Sequence, residues 1–270
     1  MKLPSEMIKA DIKNLSLKDN KPILTNVEFE LRNNSVCTII GANGSGKTTL
    51  IKSLTGLLNP RFYSVSGKVL FEGKDILSLD YNSLIQLRRN KIKYVFQDAV
   101  NSFDHLRKFE YYFNNLAKDK NEIDILLEYF LLPKFSELSN LYPYEVSGGM
   151  AQRINFVLAL LAHPQIIILD EPTSGIDLAI SNLFLLKLRE FVSENYEPGI
   201  DHSALLVTHD LEFAKKVSDE VAFLLNGKLS RFYPCKDFFN SDGKESVNFP
   251  DEQTSYIQNS FLESYRRLSI

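Results

Sequence analysis

The segment GANGSGKTT, residues 41–49, most constrains what this chain can fold into, and it directly follows the apolar run VCTII. It matches the pattern GxxxxGK[ST], a glycine-rich loop between a buried strand and a helix. Glycines let successive backbone N–H groups converge on an anion, and the dipole of the following helix favours negative charge. The segment therefore predicts a phosphate-binding loop in an α/β fold, with a strand over 36–40 and a helix from Lys47.

The rest of the chain supports an α/β core with a mostly parallel sheet. Residues 27–32 alternate like a half-buried strand, and short apolar runs typical of buried parallel strands recur further on. These runs are residues 92–96, 166–169, 204–207 and 221–225. From about 103 to 162 the pattern is helical instead, with apolar side chains at helical spacing. The first of them are Leu106, Phe109, Phe113 and Leu116, and a denser apolar block follows at 123–132.

The end of the chain is predicted to be an extension of this core. After Lys228 the chain becomes polar, and residues 241–255 have the composition of a linker. Apolar residues then return on one helical face, which predicts a short terminal helix. They are Ile257, Phe261, Tyr265 and Leu268.

Composition excludes several classes. Hydrophobic residues make up 44% and charged residues 24% of 270, which is ordinary for a globular protein. No apolar run reaches the roughly 18–20 residues of a membrane span, and the N-terminus lacks an export signal, so we expect a cytoplasmic protein. A net charge of −3 argues against a nucleic-acid partner. Cys37 and Cys235 cannot make a disulfide framework, and Cys37 is expected in the core.

A second motif, IIILDEP, places two carboxylates at the end of an apolar strand. Ligands bind at this edge of open α/β sheets. Asp170 is predicted to hold Mg²⁺, and Glu171 to polarise the water that attacks the γ-phosphate. In the phosphate loop, Lys47 reaches the β- and γ-phosphates, and the Thr48 hydroxyl binds Mg²⁺.

Between these motifs lies VSGGMAQR, and here the chain resembles the ABC ATPase superfamily, whose signature is SGGQ or a close variant. Ser147 is a good N-cap, and Gly148 and Gly149 expose backbone N–H groups at the start of a helix. The resemblance implies that this site faces the γ-phosphate held by another subunit, in a head-to-tail dimer with two ATP molecules between the cassettes. Met150 departs from the commonest Gln and cannot hydrogen-bond a ribose.

The remaining motifs follow in the superfamily order. Gln97 matches the glutamine that touches Mg²⁺ and the attacking water, and SGID at 174–177 matches the D-loop. His209 resembles the histidine that contacts the γ-phosphate, with Asp210 as the N-cap of the next helix. The superfamily's usual adenine-stacking aromatic is missing from residues 15–20, where only Leu17 and Lys18 are candidates, so base selectivity is expected to be loose.

These observations define the predicted fold and site. The fold is an α/β P-loop NTPase of the ABC cassette type, with a mostly parallel sheet, a small antiparallel β subdomain and a helical insertion. The cassette is predicted over 1–230, with its helical subdomain at 98–163 and an extension at 231–270. Glu171, His209 and Gln97 are the predicted catalytic residues, and Thr48, Gln97 and Asp170 the predicted Mg²⁺ ligands. The predicted ATP-binding residues are Gly41, Asn43, Gly44, Ser45, Gly46, Lys47, Thr48, Thr49, Ser147, Gly148 and Gly149.

Within the superfamily, residues 88–104 and the segment YPYEVSGGMAQR resemble the importers of peptides, nickel and metal chelates. The resemblance implies an ATP-hydrolysing subunit that lies peripherally on the cytoplasmic face of the membrane. Its partners would be a second ATPase subunit, two membrane permease subunits and, indirectly, an extracytoplasmic solute-binding protein. A heterodimer is favoured and a homodimer stays open. The alternatives are a soluble ABC ATPase outside transport and the cassette of an exporter, and the sequence does not name the solute.

Overall fold

The computed structural model describes residues 6–116 and 119–239. The described chain divides into two units, one made of its residues up to 80 and from 205 onward and the other of those between 81 and 204. Each unit is described by itself.

The first unit contains an antiparallel sheet of four strands in the order β2-β1-β4-β5. Its strands are β1 (Glu6–Leu17), β2 (Pro22–Arg32), β4 (Tyr63–Phe71) and β5 (Lys74–Asp75). Alternate residues of β1, among them Ile8, Ala10 and Ile12, are buried. This period of two is the pattern of a strand with one face in the core.

The same unit contains the strands that hold the phosphate loop. Strand β3 (Val36–Ile40) is buried along its whole length and pairs in parallel with β9 (Glu220–Leu225). Strand β8 (Ser203–Thr208) lies on the other side of β3, and β10 (Lys228–Leu229) and β11 (Tyr233–Pro234) pair antiparallel with β9. The helices are α1 (Lys47–Leu54), α8 (Leu211–Val217) and α9 (Cys235–Phe239).

The second unit combines two parallel strands with helices. Strands β6 (Ile92–Val95) and β7 (Ile166–Asp170) pair with Tyr94 opposite Ile168. Its helices are α2 (Tyr81–Asn90), α3 (Phe109–Asn114), α4 (Lys120–Tyr129), α5 (Phe135–Leu138), α6 (Gly148–Leu161) and α7 (Leu178–Phe191). The buried rings of Phe130, Phe156 and Phe184 pack against one another, with centroids 4.7–5.6 Å apart. This aromatic cluster joins the end of α4 to α6 and α7.

Most predicted elements are confirmed. The strands at 36–40, 92–96, 166–169, 204–207 and 221–225 form within one residue of these bounds, and α1 begins at Lys47. Between residues 103 and 162 the described chain contains helices and turns, as the helical spacing of the apolar residues predicts. Leu106 was placed wrongly, because it precedes α3 and is 86% exposed. The predicted linker and terminal helix lie outside the described residues.

Candidate nucleotide site

The phosphate loop joins β3 to α1 in the first unit. Gly46 caps the helix with φ 103°, a left-handed conformation that glycine adopts without strain. Lys47 is buried, and its Nζ donates to the carbonyl oxygens of Gly41 at 2.7 Å and Ala42 at 3.2 Å. The lysine therefore lies folded along its own loop, where its charge is held next to the loop backbone.

The start of the loop is tightly packed. A Cβ atom at Gly41 would lie 2.5 Å from the carbonyl oxygen of Leu224 and 2.8 Å from Ser45 Oγ, so only glycine fits. Among the described residues, the Ser45 hydroxyl is buried and has no hydrogen-bond partner. A hydroxyl without a partner, a lysine and a helix N-terminus together fit a phosphate group. Thr48 and Thr49 follow in the first turn of α1 and are half-buried, and Asn43 and Gly44 are exposed.

His209 belongs to the same unit and lies between β8 and α8. Its side chain is exposed, while the neighbouring Asp210 is tied into the turn. The Asp210 carboxylate accepts from the backbone N–H of Phe213 at 2.9 Å, and its own N–H donates to Thr208 Oγ1 at 3.0 Å. The predicted N-cap role of Asp210 is therefore confirmed, and the cap fixes the backbone next to the histidine.

The adenine end of the site was the weakest part of the sequence prediction. Leu17 is half-buried and Lys18 is exposed. The backbone N–H of Lys18 donates to the carbonyl oxygen of Phe62 at 2.9 Å, and the side chain of Phe62 is 62% exposed. Phe62, a residue with an exposed ring, is therefore joined through its backbone to the stretch that lacks an aromatic, and sequence reasoning missed it. The signal was available in the aromatic pair Phe62 and Tyr63.

In the second unit, both carboxylates of IIILDEP are buried at the end of β7. Asp170 is 2% exposed and Glu171 is 4% exposed. Glu171 also has φ 48°, a left-handed conformation that costs a non-glycine residue about 1–2 kcal/mol. Strained residues of this kind concentrate at functional sites, because the surrounding structure must hold them in place. Glu72, Leu131 and His163 share the left-handed conformation. The burial of the Glu171 carboxylate is therefore the stronger support for a functional role.

Asp170 has a partner that the sequence did not indicate. The hydroxyl of Tyr94 donates to Asp170 Oδ2 at 2.8 Å. Burial, together with the charge of Asp170, raises the pKa of Tyr94 above its ordinary value, so the phenol stays protonated and acts as the donor. The contact depends on the pairing of β6 with β7, two strands far apart in the chain, and no local pattern reveals it.

The signature segment begins α6. Ser147 is the N-cap, and its Oγ accepts from the backbone N–H of Met150 at 3.2 Å, as predicted. Ser147 and Gly148 are exposed. A Cβ atom at Gly149 would lie 3.7 Å from Ile176 Cγ2, so the structure brings the signature next to the D-loop. Because Ser147 and Gly148 are exposed, the N-terminus of α6 is accessible to an external ligand.

Two further predicted residues lie in the same unit. Gln97 is exposed and follows the end of β6, where the carbonyl oxygen of the preceding Phe96 lies 3.5 Å from the Gln152 amide nitrogen. Asp177 caps α7, with its carboxylate accepting from the Ile180 N–H at 2.9 Å. Within this unit the structure therefore brings the signature next to the D-loop, and it shows a hydrogen bond from Tyr94 to Asp170 that the sequence did not predict.

The comparison with protein families decides the identity. The model of the family described as "ABC transporter" matches residues 24–174. The chain belongs to the ABC transporter family. The predicted family and its cofactors, ATP and Mg²⁺, are thereby confirmed, as is the predicted ATPase activity.

Similar proteins include ATP-binding proteins of import systems. The metal-staphylopine import system ATP-binding protein of Staphylococcus aureus is 31% identical, over 81% of this chain and 83% of that protein. The dipeptide transport ATP-binding protein of Bacillus subtilis is 31% identical over 79% of this chain, and the match spans 65% of that protein. A solved dimeric bacterial ABC transporter cassette is 24% identical and superposes with a TM-score of 0.72, covering 85% of this chain and 99% of its own, which confirms the fold.

The residues of this ABC protein fit the cofactors of its family. In the second unit, the buried Asp170 carboxylate supplies oxygen donors, which suit Mg²⁺, a hard cation. None of the helices within residues 6–116 and 119–239 has the length and apolar character that a membrane span requires.

Proposed function

We propose that this chain is the ATP-hydrolysing subunit of an importer of peptides, nickel or metal chelates, and that it drives separate membrane permease subunits. The observation that carries the proposal is the similarity to the metal-staphylopine import protein, which extends over 81% of this chain and 83% of that relative. The similarity to the dipeptide transport protein points to the same branch. The cassette would span residues 1–230, with its helical subdomain at 98–163 and an extension at 231–270.

The phosphate loop holds the nucleotide in this proposal. The backbone N–H groups of residues 41–49 and the Lys47 ammonium group bind the phosphates. This role is supported by the buried position of Lys47 and by the hydroxyl of Ser45, which has no partner among the described residues. Thr48, Gln97 and Asp170 would hold Mg²⁺, which neutralises charge on the phosphate oxygens when bound.

Glu171 is the proposed general base. A carboxylate accepts a proton from the attacking water, and a base of this kind contributes about a hundredfold to ten-thousandfold in rate. Its burial and its left-handed backbone support a position that is held in place for this purpose. His209 would contact the γ-phosphate and help to hold Glu171.

The signature would act on a second nucleotide. Ser147, Gly148 and Gly149 expose a capped helix N-terminus, which suits the γ-phosphate of an ATP molecule bound by another cassette. The second cassette is proposed to be a different chain, with a homodimer as the alternative. The assembly would lie on the cytoplasmic face of the membrane, with the solute delivered from outside by a binding protein.

The test is the identity of the proteins that this chain contacts in membranes. A photo-crosslinker is placed singly at exposed positions Asp98, Leu106 and Tyr111, and at exposed Leu186 as the control. We expect crosslinks from the first three positions to a permease of an import system, and recovery of a second cassette. Crosslinks to an exporter, or recovery without any membrane partner, would contradict the proposal in favour of the two alternatives.

A further inference from the structure

Tyr94 is a half-buried residue, and its hydroxyl donates to the carboxylate that the proposed function assigns to the metal. It lies on β6 opposite Ile168 of β7, and Asp170 follows two residues later on the same face of that strand. The distance of 2.8 Å from the hydroxyl to Asp170 Oδ2 is that of a well-formed O–H···O bond.

The tyrosine ring is itself held in place. It packs against Phe96 with ring centroids 4.5 Å apart, and Phe96 is the residue before Gln97. The Gln152 amide nitrogen lies 3.5 Å from the carbonyl oxygen of Phe96 and ties this strand end to α6. Because the Tyr94 ring is held against Phe96, its hydroxyl restricts the rotation of the Asp170 carboxylate that it contacts.

A buried carboxylate needs such a donor for two reasons. Asp170 is 2% exposed, so its charge is costly unless hydrogen bonds compensate for the lost water. A carboxylate that holds a metal must also present its oxygens in one orientation, and outer-shell hydrogen bonds commonly provide this orientation. The Tyr94 hydroxyl meets both requirements.

We propose that Tyr94 is a positioning residue, whose hydroxyl orients Asp170 for Mg²⁺. The inference rests on the proposed function, because it takes Asp170 as a metal-holding residue. Loss of an outer-shell partner typically weakens metal binding about tenfold to a hundredfold. The substitution Tyr94→Phe removes only the hydroxyl and keeps the ring against Phe96.

The experiment measures Mn²⁺ in place of Mg²⁺ by electron paramagnetic resonance, with the full chain and a non-hydrolysable ATP analogue. We expect Tyr94→Phe to raise the Kd for Mn²⁺ at least about tenfold, and to leave analogue binding in excess chelator unchanged. The matched control is Tyr129→Phe, which removes a hydroxyl that donates to the Leu183 carbonyl oxygen at 3.3 Å in the same unit. This control should bind Mn²⁺ like the original chain.

A second comparison separates positioning from a general effect on the fold. If Tyr94 acts through Asp170, Tyr94→Phe should have little further effect on Mn²⁺ binding in an Asp170→Asn background, because the two effects are coupled. An unchanged Kd for Mn²⁺, additive effects, or equal losses of metal-free and metal-dependent binding would overturn the inference. Absence of Mn²⁺-dependent binding in the original chain would instead overturn the proposed function, and the inference with it.

Discussion

Replacement of Gly41 by alanine tests the packing of the phosphate loop. The new Cβ would lie 2.5 Å from the carbonyl oxygen of Leu224, where ordinary contact begins near 3.4 Å, and 2.8 Å from Ser45 Oγ. The first neighbour is backbone of a strand buried on both sides, so the loop must move instead. Overpacking of this kind costs about 1–3 kcal/mol. The Gly41 carbonyl, which accepts from Lys47, would move with it.

If this strain is relieved in the nucleotide-free loop and restored on binding, ATP affinity falls about fivefold to 150-fold, since 1.4 kcal/mol is tenfold. Isothermal titration with ATP measures the affinity, and thermal unfolding shows whether the chain is folded. The control is Gly73→Asn in the same unit, where φ is 76° and a Cβ meets nothing within 4 Å. Asparagine tolerates this conformation, so the control should bind ATP normally. A Gly41→Ala variant that binds ATP within about twofold of the original would refute the packing argument.

Two other predictions concern base recognition and pH. Phe62→Ala should weaken ATP binding by about 1–3 kcal/mol in titration if the base stacks on this ring. GTP should compete within about a hundredfold of ATP, because stacking tolerates every base. Unchanged ATP binding by Phe62→Ala would show that the base does not stack on this ring. His163 contacts carboxylates of Glu122 at 3.0 Å and Glu197 at 2.8 Å. Burial opposes the charged form, but the two carboxylates outweigh it and raise the pKa of His163. A raised pKa stabilises the fold below the unfolded value near 6.5 and loses this effect as pH rises through the folded value. His163→Gln should therefore lower the melting temperature more at pH 5.5 than at pH 8.5, and an equal loss at both would contradict the ion-pair explanation.

Local patterns were sufficient for the phosphate loop and its flanks. The run VCTII is buried throughout, as expected of a strand with neighbours on both sides. The glycines and lysine that follow form the phosphate-binding loop between strand and helix that this pattern commonly predicts. The caps formed by Ser147 and Asp210 were also predictable, because an N-cap depends on residues at most three positions away.

Contacts between distant segments could not be read from the sequence. The hydrogen bond from Tyr94 to Asp170 requires the register of two strands, and the position of Phe62 beside Lys18 requires the pairing of β1 with β4. Leu106 has helical spacing from Phe109, but Asp104 accepts its backbone N–H at 3.0 Å in a turn before the helix. The local Asp104 acceptor thus holds the backbone in a turn at Leu106, and the helix begins only at Phe109.

Glu171→Gln is the substitution that tests most directly the claim that this chain hydrolyses ATP with Glu171 as the base. The change keeps the shape of the side chain and removes the base, so hydrolysis of MgATP should fall about a hundredfold to ten-thousandfold while ATP affinity is kept. Lys47→Ala should instead lose nucleotide binding. Turnover, ATP affinity and dimer mass are measured for both variants, with the second cassette present if it is a different chain. ATP should hold the Glu171→Gln dimer closed. Near-normal hydrolysis by Glu171→Gln would show that the water is activated elsewhere and would contradict the account.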